Sequence, residues 1–165
     1  MQAVAVVRKL NTGDKVLVDN EYGNLRDSGS ELLTQFIGIL LEDPEVIFNV
    51  HRETNFTGKG IITYSGIDVN LGNGMSASDG IFTAPISGTY YFHFQGVSDH
   101  ELLGFNYVNI YHNGGLIASS FKYELPGAFG MQTISVISQL NKGDKIHVLN
   151  SNTVLRNINS EKKCL

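Results

Sequence analysis

The stretch from Gly80 to Phe94, which reads G-I-F-T-A-P-I-S-G-T-Y-Y-F-H-F, constrains the fold of this chain more than any other segment. In its second half, aromatic rings occupy every other position, so that one face of a strand carries Tyr90, Phe92 and Phe94. Pro85 cannot donate to a β-ladder and therefore predicts a break before this strand. Gly88 is expected to permit a tight bend there. A strand that buries three rings on one face belongs in the core of an all-β sandwich.

The same residues resemble the signature of the complement C1q-type globular head domain family. The positions of its aromatic residues and glycine are occupied by Phe82, Gly88, Tyr90, Phe92 and Phe94. Ala84-Pro85 and Asn70 also fit the pattern, whereas Tyr64 and Met75 depart from it, since the family usually has Phe, and an aromatic residue or Leu, at these places. The resemblance implies a jelly-roll β-sandwich, related in shape to tumour necrosis factor, which packs as a homotrimer and binds ligands through its outer loops.

Composition limits the partners that such a chain can have. The 165 residues have the length of one ordinary domain, with 42% apolar residues, 17% charged residues and a net charge of −4. Because there is no basic footprint, we expect no nucleic-acid partner. No apolar run approaches the ~20 residues that a membrane helix needs, and the nearest, Phe36–Leu41, reads as a buried strand.

The residues alone do not determine the cellular compartment, and the family resemblance is what bears on it. Cys164 is the single cysteine, so no disulfide can form within this chain. Met1–Leu10 has no apolar core or cleavage site of a signal peptide. The resembled family is nevertheless extracellular, which implies that this protein is secreted. The Asn55-Phe56-Thr57 tripeptide is a glycosylation sequon in a predicted exposed loop.

An internal repeat links the two ends of the chain. Residues 4–31 align without a gap to residues 134–161, at an offset of 130 positions, which is 134 minus 4. The best-matched segment is Leu10–Val16, LNTGDKV, against Leu140–Ile146, LNKGDKI. A spacing of this size is that of a domain and not of a solenoid repeat.

The repeat predicts a tandem array cut out of frame with its domains. Residues 1–41 are expected to be the C-terminal strands of a preceding C1q-type domain, and residues 42–45 a short linker. Residues 46–165 are then a second C1q-type domain that lacks its last strand, so that the chain is a fragment of the array. We further expect residues 33–41 to fill the vacant position beside Val46–Arg52.

Short alternating runs separated by turns make up the rest of the chain. Asn113-Gly114 is a strong signal for a two-residue hairpin turn. Gly72-Asn73-Gly74 and Asn141–Asp144 also have the composition of turns. Since no segment keeps a period of 3.6 residues, the fold class is expected to be all-β, a sandwich or jelly roll.

The sequence carries no recognisable catalytic or metal constellation. The five histidines stand singly, without a zinc-like spacing to cysteine. Asp99-His100-Glu101 falls in a predicted loop, and there is no nucleophile elbow. The Asn-x-Gly-Asp turns at Asn11–Asp14 and Asn141–Asp144 carry oxygen ligands suited to calcium, which some members of the resembled family bind, but turn formation alone accounts for them.

The sequence leaves three functional hypotheses open. The leading hypothesis is a non-enzymatic recognition module of the pattern-recognition or lectin-like kind, active in innate immunity and binding glycans or protein receptors. The second is a structural or matrix component whose function is the assembly itself. The third, an enzyme on a jelly roll, would need clustered histidine and carboxylate ligands that the sequence does not show.

Overall fold

The computed structural model describes residues 10–18, 45–99, 104–124, 129–151 and 154–156. The chain divides into two compact units, one of which runs from Val4 to Pro44 and the other of which contains Glu45–Leu165. The expected strand at residues 33–41, residues 42–44 of the expected linker 42–45, His100 with Glu101, and Cys164 lie outside the described residues.

The unit that contains Glu45–Leu165 is built of strands, and none of its described residues is helical, which confirms the predicted all-β class. No helix among the described residues is long and apolar enough to cross a membrane. The strands are β1 (Ile47–His51), β2 (Gly60–Ile61), β3 (Gly66–Leu71), β4 (Met75–Ser76), β5 (Ile81–Thr83), β6 (Gly88–Asp99), β7 (Gly104–His112), β8 (Gly115–Glu124), β9 (Phe129–Leu140), β10 (Lys145–Asn150) and β11 (Val154–Arg156). The short strands β4 and β11 were not predicted.

The described strands form three antiparallel groups. The largest has the order β4-β5-β10-β7-β8, with β2 also paired to β10. The second is β11-β6-β9, and the third is the pair β1-β3. The non-sequential neighbours, such as β10 between β5 and β7, show that the chain crosses between distant positions and does not form a simple meander.

The hydrophobic core lies against the face of β6 that carries Phe92. Phe92 is 6% exposed and Phe82 only 2%. The Phe82 ring contacts Phe92 and Tyr90, each with ring centroids 5.5 Å apart, and stacks on Phe48 at 5.0 Å. Tyr90 and Phe94 are partly buried and pack against this core. The three rings of β6 therefore share one face, but only Phe92 is fully enclosed.

The chain bends before β6 at Pro85 and Ile86, and Gly88 is the first residue of the strand. Gly88 does not have a positive φ, and a Cβ built there would meet only Tyr90, at 4.0 Å. A glycine that the packing does require is Gly80, which has φ of 72° and where a Cβ would lie 2.1 Å from the carbonyl oxygen of Ile62. The left-handed backbone that favours glycine is therefore required at Gly80, before β5, and not at Gly88.

Three positions of the resembled pattern have structural roles: Asn70, which fits the pattern, and Met75 and Tyr64, which depart from it. Asn70 holds the β3–β4 connection, since its Nδ2 donates to the Met75 carbonyl at 2.8 Å and its Oδ1 accepts from the Met75 amide at 3.1 Å. Met75 itself is buried in the core. Tyr64 also packs against the core, and burial raises the pKa of its phenol to about 12.

The described part of the unit Val4–Pro44 contains a turn that repeats one in the other unit. The Asn11 amide donates to Asp14 Oδ2 at 2.7 Å, and Gly13 has φ of 92°. In the second turn, the Asn141 amide donates to Asp144 Oδ2 at 2.8 Å, and Gly143 also has φ of 92°. The sequence repeat is thus also a repeat of local conformation.

Candidate recognition surfaces

The outward side of strands β6 and β9 forms the first candidate surface, here called the β6–β9 face and defined by Tyr91, His93, Ser135 and Ile137. Its residues lie in direct cross-strand pairs, Tyr91 opposite Ile137 and His93 opposite Ser135. Tyr91 is 40% exposed and Ile137 54%. Alternation along the strands places these residues outside because their neighbours Phe92 and Ile134 are in the core.

Ser135 organises the polar part of this face. Its Oγ accepts a hydrogen bond from the Tyr91 hydroxyl at 3.2 Å and lies 2.8 Å from His93 Nδ1. The Tyr91 and His93 rings stack with centroids 6.4 Å apart. The Tyr91 ring is therefore held in place, whereas Ile137 presents an apolar side chain to the surroundings.

The outward side of the β7–β8 hairpin forms the second candidate surface, here called the aromatic face and defined by Phe105, Tyr107, Phe121 and Tyr123. Phe105 lies directly opposite Tyr123, and Tyr107 opposite Phe121. Ring centroids are 5.0 Å apart in the first pair and 6.1 Å in the second. All four side chains are exposed, Phe121 most of all at 67%.

The hairpin that carries this face turns at Asn113-Gly114, as predicted. Asn113 and Gly114 have φ of 48° and 83°, the left-handed values that a type I′ turn requires. Farther along, the register shifts between Ile110 and Tyr111. The shift aligns the aromatic residues of the two strands, and sequence alternation alone did not identify them as one surface.

Histidine and carboxylate groups do not assemble into a metal centre within the described residues. His51 Nδ1 lies 3.1 Å from Asp68 Oδ2, and His112 Nε2 lies 3.0 Å from Asp144 Oδ2. His147 stacks on Tyr111 with centroids 5.3 Å apart, and burial lowers its pKa. Each described histidine thus serves a local contact.

Both carboxylate oxygens of Asp144 accept hydrogen bonds at the Asn141–Asp144 turn. Asp144 Oδ1 accepts a hydrogen bond from Asn113 Nδ2 at 2.8 Å, and Oδ2 accepts one from the Asn141 amide at 2.8 Å. These hydrogen bonds hold the pKa of the Asp144 carboxyl below its usual range. Oδ1 thus connects this turn to the β7–β8 turn, while Oδ2 closes the turn in which Asp144 lies.

The sequon at Asn55 is accessible at the surface. Asn55 and Thr57 are both exposed, and the Asn55 carbonyl accepts a hydrogen bond from Arg52 Nη2 at 3.2 Å. Phe56 between them is partly buried, and its backbone forms a bridge with Leu155. The loop is thus anchored at Phe56 while the acceptor side chain faces outward.

Comparison with known proteins agrees with this architecture. The family model of the C1q domain matches residues 47–163 as one domain. The chain is 32% identical over 113 residues to Complement C1q tumor necrosis factor-related protein 3 of Homo sapiens and, to the same extent, of Mus musculus. In each case the match covers 67% of this chain but 45% of the relative, so the chain spans less than half the length of these relatives.

Solved structures show the same fold at low sequence identity. The globular domain of zebrafish complement 1qA superposes with a TM-score of 0.57 at 18% identity, covering 66% of this chain and 89% of that one. Murine APRIL superposes with a TM-score of 0.52 at 14% identity, covering 66% and 93%. The all-β fold is therefore the jelly roll that the sequence predicted. With a family match over residues 47–163, the chain belongs to the C1q domain family.

Proposed function

We propose that this chain is a non-enzymatic extracellular module that self-associates, as a homotrimer, and uses the assembly for recognition. The observation that carries the proposal is the exposed pair Tyr91 and Ile137 on the β6–β9 face. A tyrosine and an isoleucine side by side on a sheet face favour burial against another copy. Membership of the C1q domain family supports a module of this kind.

Self-association gives such a module its affinity. A single domain that binds a repeated surface ligand weakly becomes a strong binder when three copies engage together, because the later contacts are intramolecular. The ligands expected for this assembly are glycans or protein receptors, contacted away from the trimer axis as in a pattern-recognition or lectin-like protein. The proposed module requires neither a catalytic group nor a cofactor.

Sedimentation velocity of the full chain tests the assembly. Ile137→Glu should convert the trimer to monomer, because a carboxylate would be buried against the partner copies. Val69→Glu is the matched control, since Val69 is 44% exposed on β3 and lies outside the β6–β9 face. A monomeric wild-type chain, or equal sedimentation of both variants, would refute the proposal. A trimer that captures no glycan, microbial surface or receptor would favour a structural component.

The domain arrangement proposed for the chain is a tandem one, with residues 1–41 closing a preceding copy, 42–45 as linker and 46–165 forming the next copy. The matching turns support it, and so does a reversal of burial between them. Leu140 and Ile146 are 1% and 3% exposed, whereas their counterparts Leu10 and Val16 are 53% and 51% exposed. Segment 10–18 therefore has the sequence and turn of a β9–β10 connection without an equivalent core.

The second turn shows what the first would contact. Gly143 donates to the Ala84 carbonyl and Ala84 donates to the Asp144 carbonyl, both at 2.8 Å. A preceding copy would offer Gly13 and Asp14 an equivalent Ala-Pro segment. Sequencing the transcript on its 5′ side tests the arrangement. Codons for a segment like Gly80–Phe94, about 130 residues before it by the repeat length, would support the arrangement, and their absence would refute it.

A further inference from the structure

The aromatic face reverses the usual polarity of a strand. On β7, Phe105 and Tyr107 are 50% and 42% exposed, whereas Asn106 between them is completely buried. On β9, which also contributes to the core, Gln132 is 1% exposed and its Nε2 donates to the Asn106 carbonyl at 3.3 Å. Amides inside and rings outside are the informative exceptions to hydrophobic burial. Exceptions of this kind concentrate at functional sites.

The four rings form one continuous platform. Besides the two cross-strand contacts, Phe105 and Tyr107 approach each other along β7 with centroids 6.4 Å apart. Rings that already contact one another lose little conformational freedom when a ligand covers them, which makes exposed tyrosines efficient binding residues. The platform is therefore preorganised for a flat ligand.

The surroundings of the platform are neutral and polar. From residue 105 to residue 123, the outward positions of the described hairpin carry no charged side chain. Beside the rings, Ser119 donates to Asn109 Oδ1 at 2.6 Å, which fixes the Asn109 amide. Tyr107 and Tyr123, which each carry a hydroxyl group, are 42% and 49% exposed.

We propose that the aromatic face binds a neutral polysaccharide. The C–H faces of pyranose rings stack on aromatic rings, while sugar hydroxyls bond to phenol hydroxyls and amides, and this face offers both kinds of contact. The proposal rests on the recognition function argued above. It places the ligand on a sheet face and not in the outer loops.

Charge and polarity distinguish this occupant from others. A polyanion would need basic residues that the outward positions of the described hairpin lack. A second copy of the chain would have to supply a polar partner for each of the Tyr107 and Tyr123 hydroxyls, because burial of an unpaired hydroxyl is costly. A polysaccharide has many hydroxyl groups that can form hydrogen bonds with the tyrosine hydroxyls, so it can pair the polar groups of this face more completely.

Affinity electrophoresis of the full chain in gels containing a β-glucan, a mannan or heparin tests the proposal. Wild type should be retarded by at least one neutral polysaccharide. Phe121→Ala and Tyr107→Ala should each weaken that binding by about tenfold or more, as for truncated aromatic anchors. Leu116→Ala is the matched control, because Leu116 is 56% exposed on the same strand but outside the platform, and should bind like wild type.

The outcomes separate this inference from the proposed function. A wild-type trimer that binds only heparin or a protein, or a neutral glycan whose binding survives both aromatic substitutions, overturns the inference and leaves the recognition function standing. Loss of the trimer in Phe121→Ala by sedimentation would make the platform a contact between copies and also overturn it. A monomeric wild type with no ligand would refute both. The thermal midpoint of each variant verifies that it is folded.

Discussion

Asn113 in the β7–β8 turn donates from Nδ2 to Oδ1 of Asp144 in the β9–β10 turn, over 2.8 Å. The two turns are further tied because the Lys145 amide donates to Asn113 Oδ1 at 2.8 Å, and the Asn113 amide donates to the Lys145 carbonyl at 2.9 Å. A hairpin turn and a distant connection, which are 31 residues apart, are thereby held at one corner of the sheet.

Replacing Asp144 with alanine should lower the thermal midpoint, because the variant loses the carboxylate that accepts from both Asn113 and Asn141. The chain supplies its own control in Asp14→Ala. Asp14 accepts from the Asn11 amide in the same way, but within segment 10–18 it joins no second turn. Differential scanning calorimetry should therefore show a larger decrease for Asp144→Ala. Equal decreases would mean that the link between the turns contributes nothing.

Phe92→Ala should reduce the free energy of unfolding by about 3–5 kcal/mol, since removal of a buried phenylalanine ring leaves a cavity in the core. Tyr91→Ala removes the neighbouring ring, which is 40% exposed on the opposite face, and should cost much less. Urea denaturation of both variants, in conditions where both are monomeric, measures the difference. If Tyr91→Ala is the more damaging, the inward face of β6 has been assigned wrongly.

The sequence predicted the strand class and the Asn113-Gly114 turn because alternation and left-handed turn residues are local signals. It did not predict the aromatic face, because that surface depends on a bulge. Continuing the register of His112 opposite Gly115 would place Phe105 opposite Lys122. The shift at Ile110 moves the pairing by one residue and so turns Phe121 and Tyr123 to the outward face.

The sequence also did not predict which polar residues are buried. Ser98, Asn106, Gln132 and Asn150 are all 0–1% exposed. Asn150 Nδ2 donates to the Gly58 carbonyl at 2.9 Å, and Ser98 Oγ donates to the Gly130 carbonyl at 3.1 Å. These partners are more than thirty residues away in sequence, so no local window of residues reveals that these side chains have polar partners inside the fold. Hydropathy alone places such residues at the surface.

Expression in a secretory eukaryotic host should add an N-linked glycan at Asn55, because both sequon residues Asn55 and Thr57 are exposed. Mass spectrometry before and after treatment with an N-glycosidase should show a mass loss that is absent in Asn55→Gln. Thr57→Ala is a second control that leaves the acceptor in place. An unmodified wild-type chain recovered from the medium would contradict the prediction.

Acidification should destabilise the fold in part through His147. Burial lowers the pKa of His147 in the folded chain, so the unfolded chain, with the ordinary pKa of about 6.5, takes up the proton first as the pH falls. The stability that the neutral imidazole contributes is therefore present above about pH 6.5 and is lost as the pH falls through the folded pKa. His147→Phe keeps a ring to stack on Tyr111 but cannot titrate. Thermal midpoints measured from pH 7.5 downward should decline less steeply in His147→Phe than in wild type, and parallel declines would show that protonation of His147 does not affect stability.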